Sequence, residues 1–244
     1  MTNSQRQVVW LCGKQASGKT FAGDYLQTRG WHHVDGELGK TSDDAAVQKA
    51  WGDLFEGYLA ASSGESCPEG CWIPYYEYLA GEIERGLETN DRVVTTFAMM
   101  GLFDGDEEFL RSRFPDIKFV AIECDTSELL DRWYARCETI FGQRGMTMED
   151  GWKSDSEFFR GARAAYGDVY SKESFMAYSK RVHYDTETIS VKQDPAKNCY
   201  VIRNDDLEGN QALKALDGLF GLDGVEVDKE KIAQVFMDRM KKME

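Results

Sequence analysis

The stretch Gly13-Lys14-Gln15-Ala16-Ser17-Gly18-Lys19-Thr20 decides how the rest of the chain is read. It fits G-x-x-x-x-G-K-[ST], a pattern in which each fixed residue has a physical task. Gly13 and Gly18 permit backbone conformations closed to residues with a Cβ, so successive N–H groups can line one concavity. A polyphosphate placed there lies at the positive end of the helix that follows. Lys19 adds a mobile cation for the β- and γ-phosphates, and the Thr20 hydroxyl suits Mg²⁺. Gly13, Lys14, Gln15, Ala16, Ser17, Gly18, Lys19 and Thr20 are therefore the expected nucleotide contacts, with a nucleoside triphosphate and Mg²⁺ as the ligand.

The flanks agree with the motif. Gln7-Val8-Val9-Trp10-Leu11-Cys12 is short, apolar and β-branched, as a buried parallel strand should be. After the loop, Phe21, Ala22, Tyr25 and Leu26 recur at helical spacing up to Gly30, a suitable residue just past a helix end. Farther on, strand-like and helix-like runs alternate. Strands are expected at 31–35, 92–97, 119–124 and 199–203. Helices are expected from Ser42 or Asp43 through Leu59 (Val47, Trp51, Leu54, Phe55, Tyr58 and Leu59 on one inward face), from Pro74 to Leu87, and around 106–113. Further helices are expected from Asp125 through Phe141, over 155–180, over 211–220 and from Asp228 onward. The stretch 62–72 reads as a loop and 182–198 alternates only weakly. Such alternation predicts an α/β three-layer sandwich, a parallel sheet with helices on both faces.

Composition narrows the function classes. The 244 residues form one domain, with a lid over about 137–155 and a mostly helical insertion over about 155–198. The net charge of −14 disfavours broad nucleic-acid or anionic-membrane surfaces, though not one nucleotide in a local pocket. No apolar run approaches the ~18 residues of a membrane span, and Met1-Thr2-Asn3-Ser4-Gln5-Arg6 lacks a signal-peptide core. A cytoplasmic protein with six free thiols is expected. Cys67 and Cys71 have no second ligand pair at zinc spacing.

Ligands of open α/β sheets bind beyond the carboxyl ends of the strands, which singles out Asp35. A carboxylate there can take a proton from an attacking hydroxyl or orient magnesium waters. Asp35 is thus an expected catalytic, substrate and metal residue, with Thr20 as its partner in holding the metal. Glu37, two residues on, and Thr96, near the end of the third strand, are expected substrate contacts. Charge developing on a transferred phosphoryl needs cations besides Lys19. Arg136, on the helix entering the Gly-containing segment, is the expected catalytic one, and Arg144 within that segment an expected substrate contact. Arg132 instead pairs at i,i+4 with Glu128. His32 and His33 point to opposite faces of a strand and do not share a ligand. Tyr75, Tyr76 and Tyr78 read as core.

With the loop, the Asp35-Gly36-Glu37 element and the lid arginines in place, the chain resembles the small P-loop kinases of the nucleoside-monophosphate kinase type. Gluconate-kinase-like and adenylylsulfate-kinase-like members look most similar, since they carry Asp-Gly-Asp after strand two. Phe114-Pro115-Asp116-Ile117-Lys118-Phe119-Val120 and Leu129-Leu130-Asp131-Arg132 through Arg136 are also similar to gluconate kinases. The resemblance covers residues 7–145 and more weakly 199–220. It implies a five-stranded sheet of order 2-3-1-4-5, ATP-Mg²⁺ as donor, and transfer to a hydroxyl or phosphate of a small acceptor. Two stretches depart from that family. Met99-Met100-Gly101-Leu102 replaces its basic acceptor-binding residues, and Ile140-Phe141-Gly142-Gln143 replaces its His-Phe-Met-Pro run. Residues 155–198 either cover the acceptor or make a homodimer contact. A nucleotide-binding module or an ATPase without kinase activity is the competing reading. A GTPase is not, because no Asn-Lys-x-Asp occurs.

Overall fold

Along β1 (Gln7–Cys12) the side chains alternate between two cores, and that alternation builds the layers. Val8, Trp10 and Cys12 join one apolar cluster and Val9 and Leu11 the other. The computed structural model describes residues 6–62, 65–185, 191–206, 210–222 and 226–241. The chain divides into two compact units, Met1–Glu123 with Thr188–Glu244, and Cys124–Glu187.

In the first unit, β1 is joined by β2 (His32–Asp35), β3 (Arg92–Phe97), β4 (Lys118–Glu123) and β5 (Cys199–Arg203). The sheet runs β2-β3-β1-β4-β5 with every pair parallel, the expected order. Cys12 sits opposite Phe97 and Ala121, and Asp35 opposite Thr96. The chain therefore leaves β1, β2 and β3 at one edge. Helices α1 (Lys19–Thr28), α2 (Ala45–Ser62), α3 (Ile73–Thr89) and α4 (Asp106–Arg113) belong to this unit. Leu54, Tyr76, Leu79, Ile83 and Leu110 pack with Trp10 on one face of the sheet. The Trp10 ring lies 5.5 Å from that of Tyr76 and 5.9 Å from that of Phe97, spacings at which aromatic pairs attract.

The second unit contains α5 (Thr126–Gln143), α6 (Met148–Trp152), α7 (Glu157–Tyr166) and α8 (Lys172–Ser179). Its centre is Trp152, Phe159, Ala162, Phe175 and Tyr178. The chain then returns to the first unit for α9 (Asn210–Phe220) and α10 (Lys229–Lys241). With α1 they cover the other face of the sheet, where Tyr25, Leu26, Leu213, Leu216 and Ile232 meet Val9, Leu11, Val94 and Val120.

Several local expectations change. Asp44 rather than Ser42 or Asp43 starts α2: a 3₁₀ turn over Leu38–Thr41 comes first, and Asp44 Oδ1 accepts from the Ala46 N–H at 2.8 Å. Phe55 and Leu59 are exposed, so the apolar face of α2 is narrower than the spacing suggests. The single helix expected over 155–180 is two. Gly167, at φ 89°, ends α7 in a conformation that other residues avoid, and Ser171 starts α8 by accepting from the Ser174 N–H. Residues 63–64 of the expected loop and 186–190 of the weakly alternating stretch lie outside the described residues. All six cysteines are free. Among the described residues no helix is long and apolar enough to cross a membrane.

Candidate functional site

The loop between β1 and α1 is shaped by close approach. A Cβ on Gly13 would lie 2.3 Å from Ser17 Oγ and 2.8 Å from the Ile122 carbonyl oxygen, so only glycine fits. Gly18 has φ 94°, and Ala16 also adopts a left-handed conformation, φ 64°. The motif accounts for Gly18 but carries no signal for Ala16, which accepts a strain of order 1 kcal/mol. The Ser17 N–H donates to the Lys14 carbonyl at 3.1 Å. From beyond β5, Asn204 closes the far side: its Nδ2 donates to the Ser17 carbonyl at 2.8 Å and its N–H to the Glu123 carbonyl. Asn204 escaped the sequence reading because nothing near it in the chain marks it. Ser17 Oγ is buried with no hydrogen-bond partner among the described residues, a polar atom left over inside the cup.

The second wall is the turn after β2. Lys19 Nζ lies 2.8 Å from Glu37 Oε1, which brings the loop lysine and the Asp35-Gly36-Glu37 element together. Asp35 Oδ1 accepts from the Glu37 N–H at 3.0 Å, an Asx-type turn. The Gly36 N–H donates to the Thr96 carbonyl at 2.8 Å and its own carbonyl accepts from the Tyr75 hydroxyl at 2.5 Å. A Cβ on Gly36 would sit 3.0 Å from both the Thr96 carbonyl oxygen and Phe97. Tyr75 is thus a brace for the acidic turn, and burial pushes its hydroxyl pKa far above the usual range.

Thr96 is fully buried, its hydroxyl 2.9 Å from His33 Nε2, so it props the wall from behind. The His33 ring Nδ1 lies 2.9 Å from Asp24 Oδ1. His33 faces Gly23 of α1, whereas His32 faces Gly86 of α3, the opposite sides expected of neighbours on a strand. A cation missed in the sequence completes this group. Arg239 of α10 reaches Asp24 at 3.0 Å and Asp35 Oδ2 at 3.2 Å.

The arginines expected to cover the transferred group belong to the second unit. Arg132 Nε donates to Glu128 Oε1 at 3.0 Å, the expected i,i+4 pair. Arg136 is exposed on α5, and Arg144, its C-cap residue, is exposed as well.

A loop whose Gly13 admits no Cβ and whose Gly18 is left-handed, with an unpartnered Ser17 hydroxyl and Lys19 directly after Gly18, fits a polyphosphate. Among the described residues no three or more His, Cys, Asp and Glu side chains are grouped to hold a metal ion. Magnesium accompanying a polyphosphate would take mainly phosphate oxygens, with Thr20, at the second position of α1, and Asp35 as the protein donors. Both Asp35 oxygens already have partners, which favours Thr20.

No family model matches the chain, and no curated protein sequence does. Solved structures do match it. Several of the similar structures are kinases. A sugar kinase from Janibacter sp. HTCC2649 aligns over 87% of this chain and 92% of its own at 12% identity, TM-score 0.47. A gluconokinase from Sinorhizobium meliloti 1021 aligns over 90% and 98% at 13% identity, TM-score 0.41. A shikimate kinase from Bacteroides thetaiotaomicron aligns over 88% and 98% at 13% identity, TM-score 0.41.

Proposed function

We propose that this protein is a cytoplasmic, ATP-dependent phosphotransferase that moves the γ-phosphoryl group to a hydroxyl or phosphate of a small acceptor. The observation that carries the proposal is the joined pair of walls: the glycine-bounded cup of Gly13–Thr20, and the Asp35-Gly36-Glu37 turn linked to it through Lys19 and Glu37. Magnesium, when bound, neutralises phosphate charge and aligns the phosphate oxygens. The chain's own residues do the rest. Backbone groups of the cup hold the donor. The Lys19 ammonium moves from Glu37 to the β- and γ-phosphates, and the Thr20 hydroxyl would be a protein donor to the magnesium. Asp35 accepts the hydrogen bond of the attacking acceptor hydroxyl and takes its proton as that oxygen bonds to the γ-phosphorus and the bond to the β-phosphate oxygen breaks, releasing ADP. Glu37, released from Lys19, contacts the acceptor, and Arg144 and Arg136 keep the acceptor-binding and catalytic roles expected of them. The buried Thr96 hydroxyl contributes through His33, holding the wall, in place of the direct contact expected from its position in the chain.

A second reading has an observation in its favour. Lys19 and Asp35, the two groups the transfer needs, are each paired within the protein. A nucleotide-binding module, or an ATPase without an acceptor, would release Lys19 to the donor and keep Asp35 on Arg239. Release of ADP from MgATP, measured over sugar acids, polyols, nucleosides and nucleotides with an acceptor-free control, separates these functions. A phosphotransferase releases ADP with one acceptor class only. An ATPase releases it equally without acceptor, and a binding module releases none.

A further inference from the structure

Arg239, near the end of the last helix, is an integral part of the acidic turn's surroundings. Its side chain is only 13% exposed, and its partners Asp24 and Asp35 are at 2% and 8%. Nη1 lies 3.0 Å from Asp24 Oδ1 and Nη2 3.0 Å from Asp24 Oδ2, the two-pronged geometry that a planar guanidinium makes with a carboxylate. Nη1 also lies 3.2 Å from Asp35 Oδ2. Nη1 is also in hydrogen-bond geometry with His33 Nδ1 at 3.2 Å, and its contacts with the two aspartates are ion pairs. Arg239 Nε is buried without a hydrogen-bond partner among the described residues.

Charge and connectivity decide what the cluster is for. One guanidinium against two carboxylates leaves an anionic group, which repels a phosphate or carboxylate ligand. The guanidinium is instead a strap between two elements. Asp24 sits on α1, the helix that also carries Lys19 and Thr20, and Asp35 ends β2. A single side chain from the far end of the sequence ties the helix of the phosphate cup to the acid beside it. Lysine, a point charge without a fork, could not hold both carboxylates in these directions.

We propose that Arg239 is a positioning residue for phosphoryl transfer: it orients the Asp35 carboxylate relative to α1, and acts only through Asp35. This rests on the phosphotransferase reading. The test compares wild type with Arg239→Ala, Arg239→Gln, Asp35→Asn and the double variant Arg239→Ala/Asp35→Asn. MgATP affinity is measured by calorimetry, and ADP release with gluconate, shikimate, glycerol, adenosine and AMP as acceptors. The glutamine variant keeps side-chain bulk in case the alanine variant does not fold. We expect both Arg239 variants to bind MgATP within about two-fold of wild type. With the acceptor wild type uses, their kcat should fall by about 10²-fold, the range of a displaced acid–base group. The double variant should be no slower than Asp35→Asn alone, because groups acting as one unit are not additive. Wild-type kcat in the folded Arg239 variants, a double loss equal to the product of the single losses, or loss of MgATP binding in step with kcat would each overturn the proposal. A wild type that binds MgATP yet releases no ADP with any acceptor overturns the phosphotransferase reading and this inference with it. A normal wild type with unaffected Arg239 variants overturns this inference alone.

Discussion

At the scale of single residues, the site is a set of charges already committed to partners. Glu37 competes with any phosphate for the Lys19 ammonium. Replacing Glu37 by Gln should therefore tighten MgATP binding by about two- to five-fold, the worth of a partly exposed ion pair. An unchanged or weaker affinity, read by calorimetry, would mean that the pair does not oppose the donor. Ala16 gives a second prediction, because its left-handed backbone tolerates glycine and excludes β-branched side chains. Ala16→Gly should keep the fold and nucleotide affinity, whereas Ala16→Val should cost about 1–3 kcal/mol and weaken binding. Urea unfolding with a binding titration checks both; a valine variant equal to wild type would show that the loop does not need this conformation. These residues were unequally legible in the sequence. Gly13, Gly18, Lys19 and Thr20 are close together and mark one another. Arg239 is 215 positions from Asp24, and its contact exists only after α10 has packed. In the sequence Arg239 is merely a basic residue near a helix end, which the helix dipole explains just as well.

At the scale of elements, close packing around the acidic turn is what places Asp35. Gly36 has the Thr96 carbonyl and Phe97 against it, and Tyr75 holds its carbonyl. Gly36→Ala should push the turn off β3, lowering kcat by at least about 10-fold with a smaller effect on MgATP affinity, since transfer is more sensitive to misplacement than binding. Equal losses in both, or none, would contradict that division. Strands and helices were readable because their signals are local: β1 is apolar on both faces, and Asp106 to Arg113 has an acidic start and a basic end. The sheet order came from resemblance rather than from any pattern in the strands. The break between α7 and α8 was missed because apolar spacing continues through Gly167, whose conformation and neighbouring Ser171 cap stop the helix. The exposed side of α2 was missed for a related reason, since spacing reveals a face but not how much of it meets a neighbour.

At the scale of the whole molecule, a buried carboxyl and a half-buried imidazole give stability a pH dependence of opposite sign in the two units. In the first, burial raises the Asp106 carboxyl from 3.8 to about 6, despite hydrogen bonds from the Gly101 and Phe103 N–H groups. As pH rises from about 4 to about 6, the unfolded chain gives up this proton before the folded one. Stability then falls, by up to about 3 kcal/mol, and Asp106→Asn should flatten that fall. In the second, burial lowers His183 from 6.5 to about 4, against Trp133 and Phe158. Its contribution is complete above 6.5 and is lost as pH falls toward 4. Unfolding followed across pH 4 to 8 by hydrogen exchange, which reports on each unit separately, checks both signs. The central claim is simpler than any of these: the loop from Gly13 to Thr20 holds a triphosphate with Lys19 over it. Calorimetric titration of MgATP into wild type and Lys19→Ala tests it most directly. The account predicts binding by wild type and at least about a tenfold loss in the variant, the worth of one charge-assisted contact. Equal affinity in the two proteins would contradict it.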